Sequence, residues 1–351
     1  MTAITQSNPL MKTAAATADD LTAIQQLGAA RSQLKSEIAK VIIGQESIVD
    51  DLLTALFSRG HCLMIGVPGL AKTLMVRTIA EAIDLDFNRI QFTPDLMPSD
   101  ITGTEIIDED RATGARTFKF VKGPVFANIL LADEINRTPP KTQAALLQAM
   151  QELQVTVSGQ TYDLPIPFFV LATQNPIEQE GTYPLPEAQL DRFMFDIRIT
   201  YPKPEEELEI AKSTTSDAPV SISKVLTGDE ILKLQKIVRR LPISDHVGRY
   251  AVNLCRASRP DDETAPDFVR QYVTWGAGTR AVQYLVLGAK ARAAIQGEFN
   301  VTCDHVRSVA KLVLRHRIMT NFHAEAEGLS PDKIVQKLLD SISEPRAADY
   351  A

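Results

Sequence analysis

Residues 66–73 read Gly-Val-Pro-Gly-Leu-Ala-Lys-Thr. They follow the apolar run Cys62-Leu63-Met64-Ile65 and lead into a helix-like stretch from Leu74 to Ile83. In a strand, glycine-bearing loop, Lys-Thr and helix, the N–H groups of the loop and of the helix N-terminus converge on an anion. The pattern commits this part of the chain to a unit that can cradle a nucleotide's phosphates. Lys72 is placed to reach the β- and γ-phosphates, and the Thr73 hydroxyl to ligate Mg²⁺. Ala71 stands where the usual form of the loop has a second glycine. We expect Gly69 to supply the permissive position and Ala71 to have a helix-like φ. The plainer alternative for the loop alone is an ordinary strand–turn–helix.

A second half is found about sixty residues on, in Asn128-Ile129-Leu130-Leu131-Ala132-Asp133-Glu134. A short continuous apolar run fits a parallel strand buried on both faces. An acidic pair at its C-terminal end falls where open α/β sheets bind ligands. Asp133 is expected to hold Mg²⁺, directly or through water. Glu134 is expected to orient or deprotonate an attacking water.

Further strands are expected at Phe87 to Phe92, Phe168 to Ala172 and Phe193 to Thr200, alternating with helices over Glu46 to Ser58, Pro139 to Leu153 and Glu205 to Lys212. That alternation predicts an α/β fold with a doubly wound parallel sheet. Two hairpins interrupt it. One pairs Glu105 to Ile107 with Thr117 to Val121 across Ala112-Thr113-Gly114. The other joins Gln154 to Val157 with Thr161 to Leu164 through Ser158-Gly159-Gln160. We expect a disordered tail over 1–30, with a short helix from Leu34 to Val41, an α/β domain over 31–213 and a linker over 214–226. Residues 227–345 carry only helical patterns and predict a small all-helical domain.

Net charge is −7, which gives no electrostatic case for nucleic-acid binding. The basic runs Arg239-Arg240 and Arg315-His316-Arg317 read as solvated helix faces. Three cysteines and five histidines lack metal-ligand spacing, as expected of a chain in a reducing cytoplasm. No apolar stretch approaches the length of a membrane span, and the N-terminus lacks a signal core, so membrane insertion is not expected.

Three more groups complete the pattern. Asn175 ends an expected core strand in Ala172-Thr173-Gln174-Asn175-Pro176. Arg192 precedes the last strand in Glu187-Ala188-Gln189-Leu190-Asp191-Arg192-Phe193. Arg280 starts a helix in Gly276-Ala277-Gly278-Thr279-Arg280-Ala281. Each has a plainer reading taken alone: a turn at Asn175-Pro176, an ion pair of Arg192 with Asp191 or Asp196, a surface helix cap at Arg280. Their order along the chain makes the functional reading.

With these residues the chain resembles the AAA+ ATPases, and among them the MoxR family. The phosphate loop with its Ala71 resembles the MoxR form, as do Gln91 to Gly103, Asp133-Glu134-Ile135-Asn136-Arg137, residues 172–176 and 181–193. The resemblance spans roughly residues 35–340. It implies a P-loop core followed by a helical lid. It also implies ATP and Mg²⁺ as ligands, with Gly66, Val67, Pro68, Gly69, Leu70, Ala71, Lys72, Thr73 and Leu74 around the phosphates and Ile43 and Gly44 at adenine. Asn175 matches sensor 1, Arg280 matches sensor 2 on the chain's own γ-phosphate, and Arg192 matches an arginine finger given to a neighbouring subunit. The family forms rings, usually hexamers, that remodel partner proteins, often with von Willebrand A-domain partners. Its two hairpins push on those partners. A related possibility is a magnesium-chelatase-type motor subunit; another is a nucleotide-gated scaffold with little turnover.

Overall fold

The computed structural model describes residues 18–109, 114, 116–177, 181–215 and 221–345. The first helix, α1, spans Ala18–Ala39 and is followed by α2 (Glu46–Ser58), β1 (Cys62–Ile65), α3 (Lys72–Ala82), β2 (Phe87–Gln91) and the short α4 (Pro98–Thr102). A hairpin of β3 (Gly103–Glu109) and β4 (Arg116–Lys122) leads to β5 (Ile129–Asp133) and α5 (Pro140–Glu152). A second hairpin, β6 (Gln154–Val157) and β7 (Gln160–Asp163), leads to β8 (Phe169–Gln174), α6 (Glu187–Leu190), β9 (Phe195–Arg198) and α7 (Pro204–Thr214). The lid holds α8 (Gly228–Arg240), α9 (Asp245–Ala257), α10 (Asp267–Tyr272), β10 (Val273–Trp275) and α11 (Thr279–Ile295). It ends with α12 (Cys303–Leu314), β11 (Met319–Thr320), α13 (Phe322–Ala326) and α14 (Pro331–Ser341).

The five core strands form one parallel sheet in the order β2-β5-β8-β1-β9. Side chains alternate across a strand, so successive residues must find cover on opposite faces. Cys62, Met64, Ile129, Leu131 and Leu171 point into the core under α2, α3 and the lid. Leu63, Leu130, Ala132, Val170 and Ala172 point into a second core under α5. Continuous apolar runs are therefore what this sheet requires, and the expected doubly wound α/β architecture with a helical lid is present.

Three details differ from the sequence expectations. Residues 18–30 belong to α1, which buries Ile24, Leu27, Leu34 and Ile38 completely or nearly so. The expected tail is thus corrected over that stretch, and residues 1–17 lie outside the described ones. The stripe was obscured by the Ala, Thr and Gln between its few apolar members, and tertiary packing against α3, α8 and α11 completes the helix. In the second hairpin Gln160 pairs with Val157, so the turn has two residues, Ser158 (φ 50°) and Gly159 (φ 83°). Left-handed pairs of this kind match strand twist. The lid carries one short antiparallel pair, β10 with β11, among its helices.

The first hairpin pairs as expected, Glu105 with Phe120 and Ile107 with Phe118. Of its expected turn, residues 112 and 113 lie outside the described ones. Its Phe120 ring stacks on Tyr162 of the second hairpin at 4.1 Å between centroids. Among the described residues no helix is long and apolar enough to cross a membrane.

Candidate active site

The phosphate loop leaves the carboxyl end of β1. Ile65 is in register with Gln174 at the end of β8, and Ala132, one residue before Asp133, is in register with Ala172. Because β8 lies between β1 and β5, Asn175 emerges between the loop and the acidic pair. Lys72, Thr73, Asp133, Glu134 and Asn175 are thereby brought to one edge of the sheet, as the order of their strands demands.

In the loop, Gly69 has φ 84°, and a Cβ there would meet open space. Ala71 caps α3 with φ 54° and ψ 24°, a left-handed conformation. The helix-like φ expected for Ala71 is thus corrected: the residue holds the glycine-like conformation of the position it fills, at a cost of about 1–2 kcal/mol. Gly66 is buried, Val67 half-buried and Pro68 exposed. Lys72 Nζ donates to the Gly66 carbonyl at 2.6 Å. Burial lowers the Lys72 pKa from its ordinary value, while the charges of Asp133 and Glu134 oppose that shift.

Asp133 is almost fully buried. Its Oδ1 accepts the Thr173 hydroxyl at 2.5 Å, and its Oδ2 accepts Arg89 Nη2 at 2.7 Å and Nε at 3.1 Å. Glu134 sits at φ 57°. Its carboxylate accepts Gln91 Nε2 at 2.7 Å and Arg137 Nη1 at 3.0 Å. Its N–H donates to Thr173 Oγ1 at 2.8 Å. Strained backbone that persists in a folded protein gathers where function requires a fixed side chain, and here two such residues, Ala71 and Glu134, flank the same space. Asn175 is 5% exposed, and its Oδ1 accepts the Ile177 N–H at 3.1 Å. No protein partner engages its amide nitrogen among the described residues.

Ile43, Leu70, Ala71 and Leu74 line a pocket with Pro202 and Ile210. It is mostly apolar and lies against the phosphate loop, which suits a purine base. Gly44 does not line it; this residue makes the turn beside it at φ 69°, and a Cβ there would meet the Glu206 carboxylate at 2.7 Å. The hydroxyl of Thr73 and the carboxylate of Asp133 are hard oxygen donors suited to Mg²⁺, which binds through one or two such groups plus phosphate oxygens. Oδ1 of Asp133, with Thr173 as its one partner, keeps lone-pair capacity, whereas Arg89 takes both sites of Oδ2. The residues present therefore fit a magnesium nucleotide.

The two arginines lie elsewhere. Met194 N–H donates to the His61 carbonyl at 2.7 Å, and Phe195 is in register with Cys62. Residues 191–194 consequently sit at the amino end of β1, the length of that strand away from the phosphate loop. Arg192 is half-buried, and its guanidinium makes no hydrogen bond or ion pair among the described residues. Neither ion pair considered for it, with Asp191 or Asp196, is formed. Arg280 Nη1 donates to Asp191 Oδ2 at 2.8 Å. Arg280, expected at its own chain's γ-phosphate, is held here by Asp191 on the end that carries Arg192.

Sequence reasoning gave no role to Arg89, Gln91 or Thr173, offered Asp191 only as a partner of Arg192, and read Arg317 as part of a solvated helix face, whereas its side chain is buried. Arg89 and Gln91 alternate on β2, so the pattern placed them on one face but named no partner across the sheet.

Residues 61–195 match the family model described as ATPase family associated with various cellular activities (AAA), and residues 267–338 match the AAA lid domain. The chain is 43% identical over 310 residues to the protein named Chaperone MoxR1 of Mycobacterium tuberculosis, covering 88% of this chain and 81% of that one. A crystal structure from Cytophaga hutchinsonii, described there as a candidate ATPase, superposes with a TM-score of 0.86 at 42% identity over 93% of this chain and 98% of the other. More distant is the Magnesium-chelatase 38 kDa subunit of Chlorobaculum parvum, 24% identical over 79% of this chain and 90% of that one. The helical lid and the phosphate-site geometry agree with these similarities, and the chain belongs to the MoxR family of AAA+ ATPases.

Proposed function

We propose that this ATPase hydrolyses ATP with Mg²⁺ in a hexameric ring and uses the cycle to remodel partner proteins in the cytoplasm, von Willebrand A-domain proteins among them. One observation carries the reading. Lys72, Asp133, Glu134 and Asn175 converge on one edge of the sheet, whereas Arg192 and Arg280 occupy the other end of β1. One chain therefore offers a phosphate site without its cationic finger and a finger without its phosphate site. A head-to-tail ring brings the two halves together at each interface.

When bound, Mg²⁺ would supply neutralising charge to the phosphates. Lys72 and the loop N–H groups orient those phosphates. Thr73 and Asp133 would hold the metal, and Arg89 and Thr173 orient the Asp133 carboxylate. Glu134 takes the proton of the attacking water once its carboxylate turns from Gln91, and Asn175 orients that water. Arg192 and Arg280 of the adjoining subunit stabilise charge on the transferring group, an effect worth roughly 10³–10⁵ in rate in related chemistry. The first hairpin leaves Phe118 and Ile107 largely exposed, 77% and 61%. These side chains suit contact with an apolar patch of a partner.

A general base contributes about 10²–10⁴-fold. The variant Glu134→Gln is therefore expected to bind ATP with near-normal affinity while turnover falls by about that factor. ATP binding by calorimetry and phosphate release on the same preparation check this. Near-normal turnover would remove Glu134 as the base, and an unvarianted chain that binds ATP without turnover would favour the scaffold.

A further inference from the structure

In the chain segment that carries Arg192, the N–H groups bond within the segment itself, and the lid takes the carbonyls of 191–193 and the Asp191 carboxylate. Arg317, which follows α12, is 3% exposed and reaches back into the core. Its Nε donates to Asp191 Oδ1 at 2.7 Å, and its Nη2 donates to the carbonyls of Asp191 at 2.8 Å and Phe193 at 2.6 Å. On α11, the Tyr284 hydroxyl donates to the Arg192 carbonyl at 3.2 Å, and its ring lies 5.1 Å from the Arg317 guanidinium. Arg280, also on α11, takes the second Asp191 oxygen. Every one of these hydrogen bonds falls on the carbonyls of 191–193 or on the Asp191 carboxylate, and none on the Arg192 side chain.

The two Asp191 oxygens have different partners. Arg317 is a buried charge, which needs its counter-ion and is costly to leave without one. Arg280 is 38% exposed and Asp191 32%, and an ion pair so open to water is weak. Asp191 is thus anchored firmly on one side and bonded lightly on the other. A polyphosphate, with more charge and more acceptor oxygens, can draw Arg280 away without loosening the anchor.

We propose that Asp191, clasped by Arg317, is the positioning residue that aims Arg192 and Arg280 as one pair at the neighbouring subunit's nucleotide. It touches no substrate itself. This rests on the trans reading given above. Because a misplacement of about 1 Å can cost 10²-fold, loss of the Asp191 charge should lower turnover without weakening the chain's own nucleotide pocket.

The test uses full-length chains at concentrations where the rate per chain is maximal. Asp191→Asn keeps the shape of the side chain and an acceptor for Arg317. Alone, it is expected to lose about 10- to 100-fold in kcat with KM for ATP within about twofold of the parent. Mixed with Lys72→Ala, which has a defective phosphate site and an intact arginine end, it should regain turnover several-fold. Arg192→Ala mixed with Lys72→Ala is the control. Recovery in the control but not with Asp191→Asn overturns the role of Asp191 and leaves the trans reading standing. Recovery in neither overturns both. Should thermal melting show that Asp191→Asn does not fold, Tyr284→Phe decides: a two- to fivefold fall in kcat, unchanged KM and recovery with Lys72→Ala support the joint. Parental kcat in Tyr284→Phe overturns it.

Discussion

Ala71 holds a left-handed conformation that an L-residue adopts only under constraint, and it does so at the cap of α3, where the N–H groups must face an anion. The strain of about 1–2 kcal/mol is tolerable because one methyl group is the smallest penalty short of glycine. Ala71→Gly removes the strain but restores about 0.4–1 kcal/mol of unfolded-state entropy. It is expected to raise stability slightly, by less than about 1.5 kcal/mol. Ala71→Val adds a β-branch at positive φ and is expected to lower stability by at least about 1 kcal/mol and to weaken ATP binding. Thermal melts with and without ATP check both, and a lower melting temperature for Ala71→Gly would contradict the account. Residue identities in the sequence made the phosphate loop, Asp133, Glu134 and Asn175 legible, because their chemistry is fixed by type and spacing. The φ of Ala71 was not, since loop conformation is set by what the N–H groups must face. Nor was the docking of Arg280 on Asp191, which joins residues 89 apart in sequence.

At the scale of elements, the sheet holds its strand ends in register with few polar groups. One of them is His61, at the start of β1, which is buried between β8 and α5. Its Nδ1 accepts the Val170 N–H at 3.0 Å, which leaves Nε2 as the donor to the Met150 carbonyl at 3.2 Å. Burial pushes its pKa down to about 4, the Met150 carbonyl opposing only in part. The folded state thus disfavours the proton that the unfolded chain takes up below about pH 6.5. As pH falls from 7 toward 4.5 the unfolded state binds more protons, so His61 removes stability, by about 2–3 kcal/mol over that range. Urea unfolding of the parent and of His61→Gln across this range isolates the effect: the parent is expected to lose that much more than the variant. Parallel pH profiles would contradict it. Strand and helix order, including the buried runs of β1, β5 and β8, was legible from periodicity. The span of α1 was not, because Ile24 and Leu27 are covered only once the lid folds over them.

Across the whole molecule, the phosphate site and the arginine end are separated by the length of β1, and the lid is packed into the same core as the sheet. On the proposed reading, a single chain carries two half-sites rather than one complete site. That separation was not legible in the sequence, where Asn175, Arg192 and Arg280 follow one another without any sign of which end of the sheet each occupies. The register of β9 against β1 supplies it. The most direct test is steady-state ATP hydrolysis with Mg²⁺, per chain, over a wide range of protein concentration, with particle mass followed by light scattering in the same samples. The account predicts a specific rate that is low for single chains, rises as assemblies form and then saturates. A specific rate that is the same for single chains as for assemblies would contradict it.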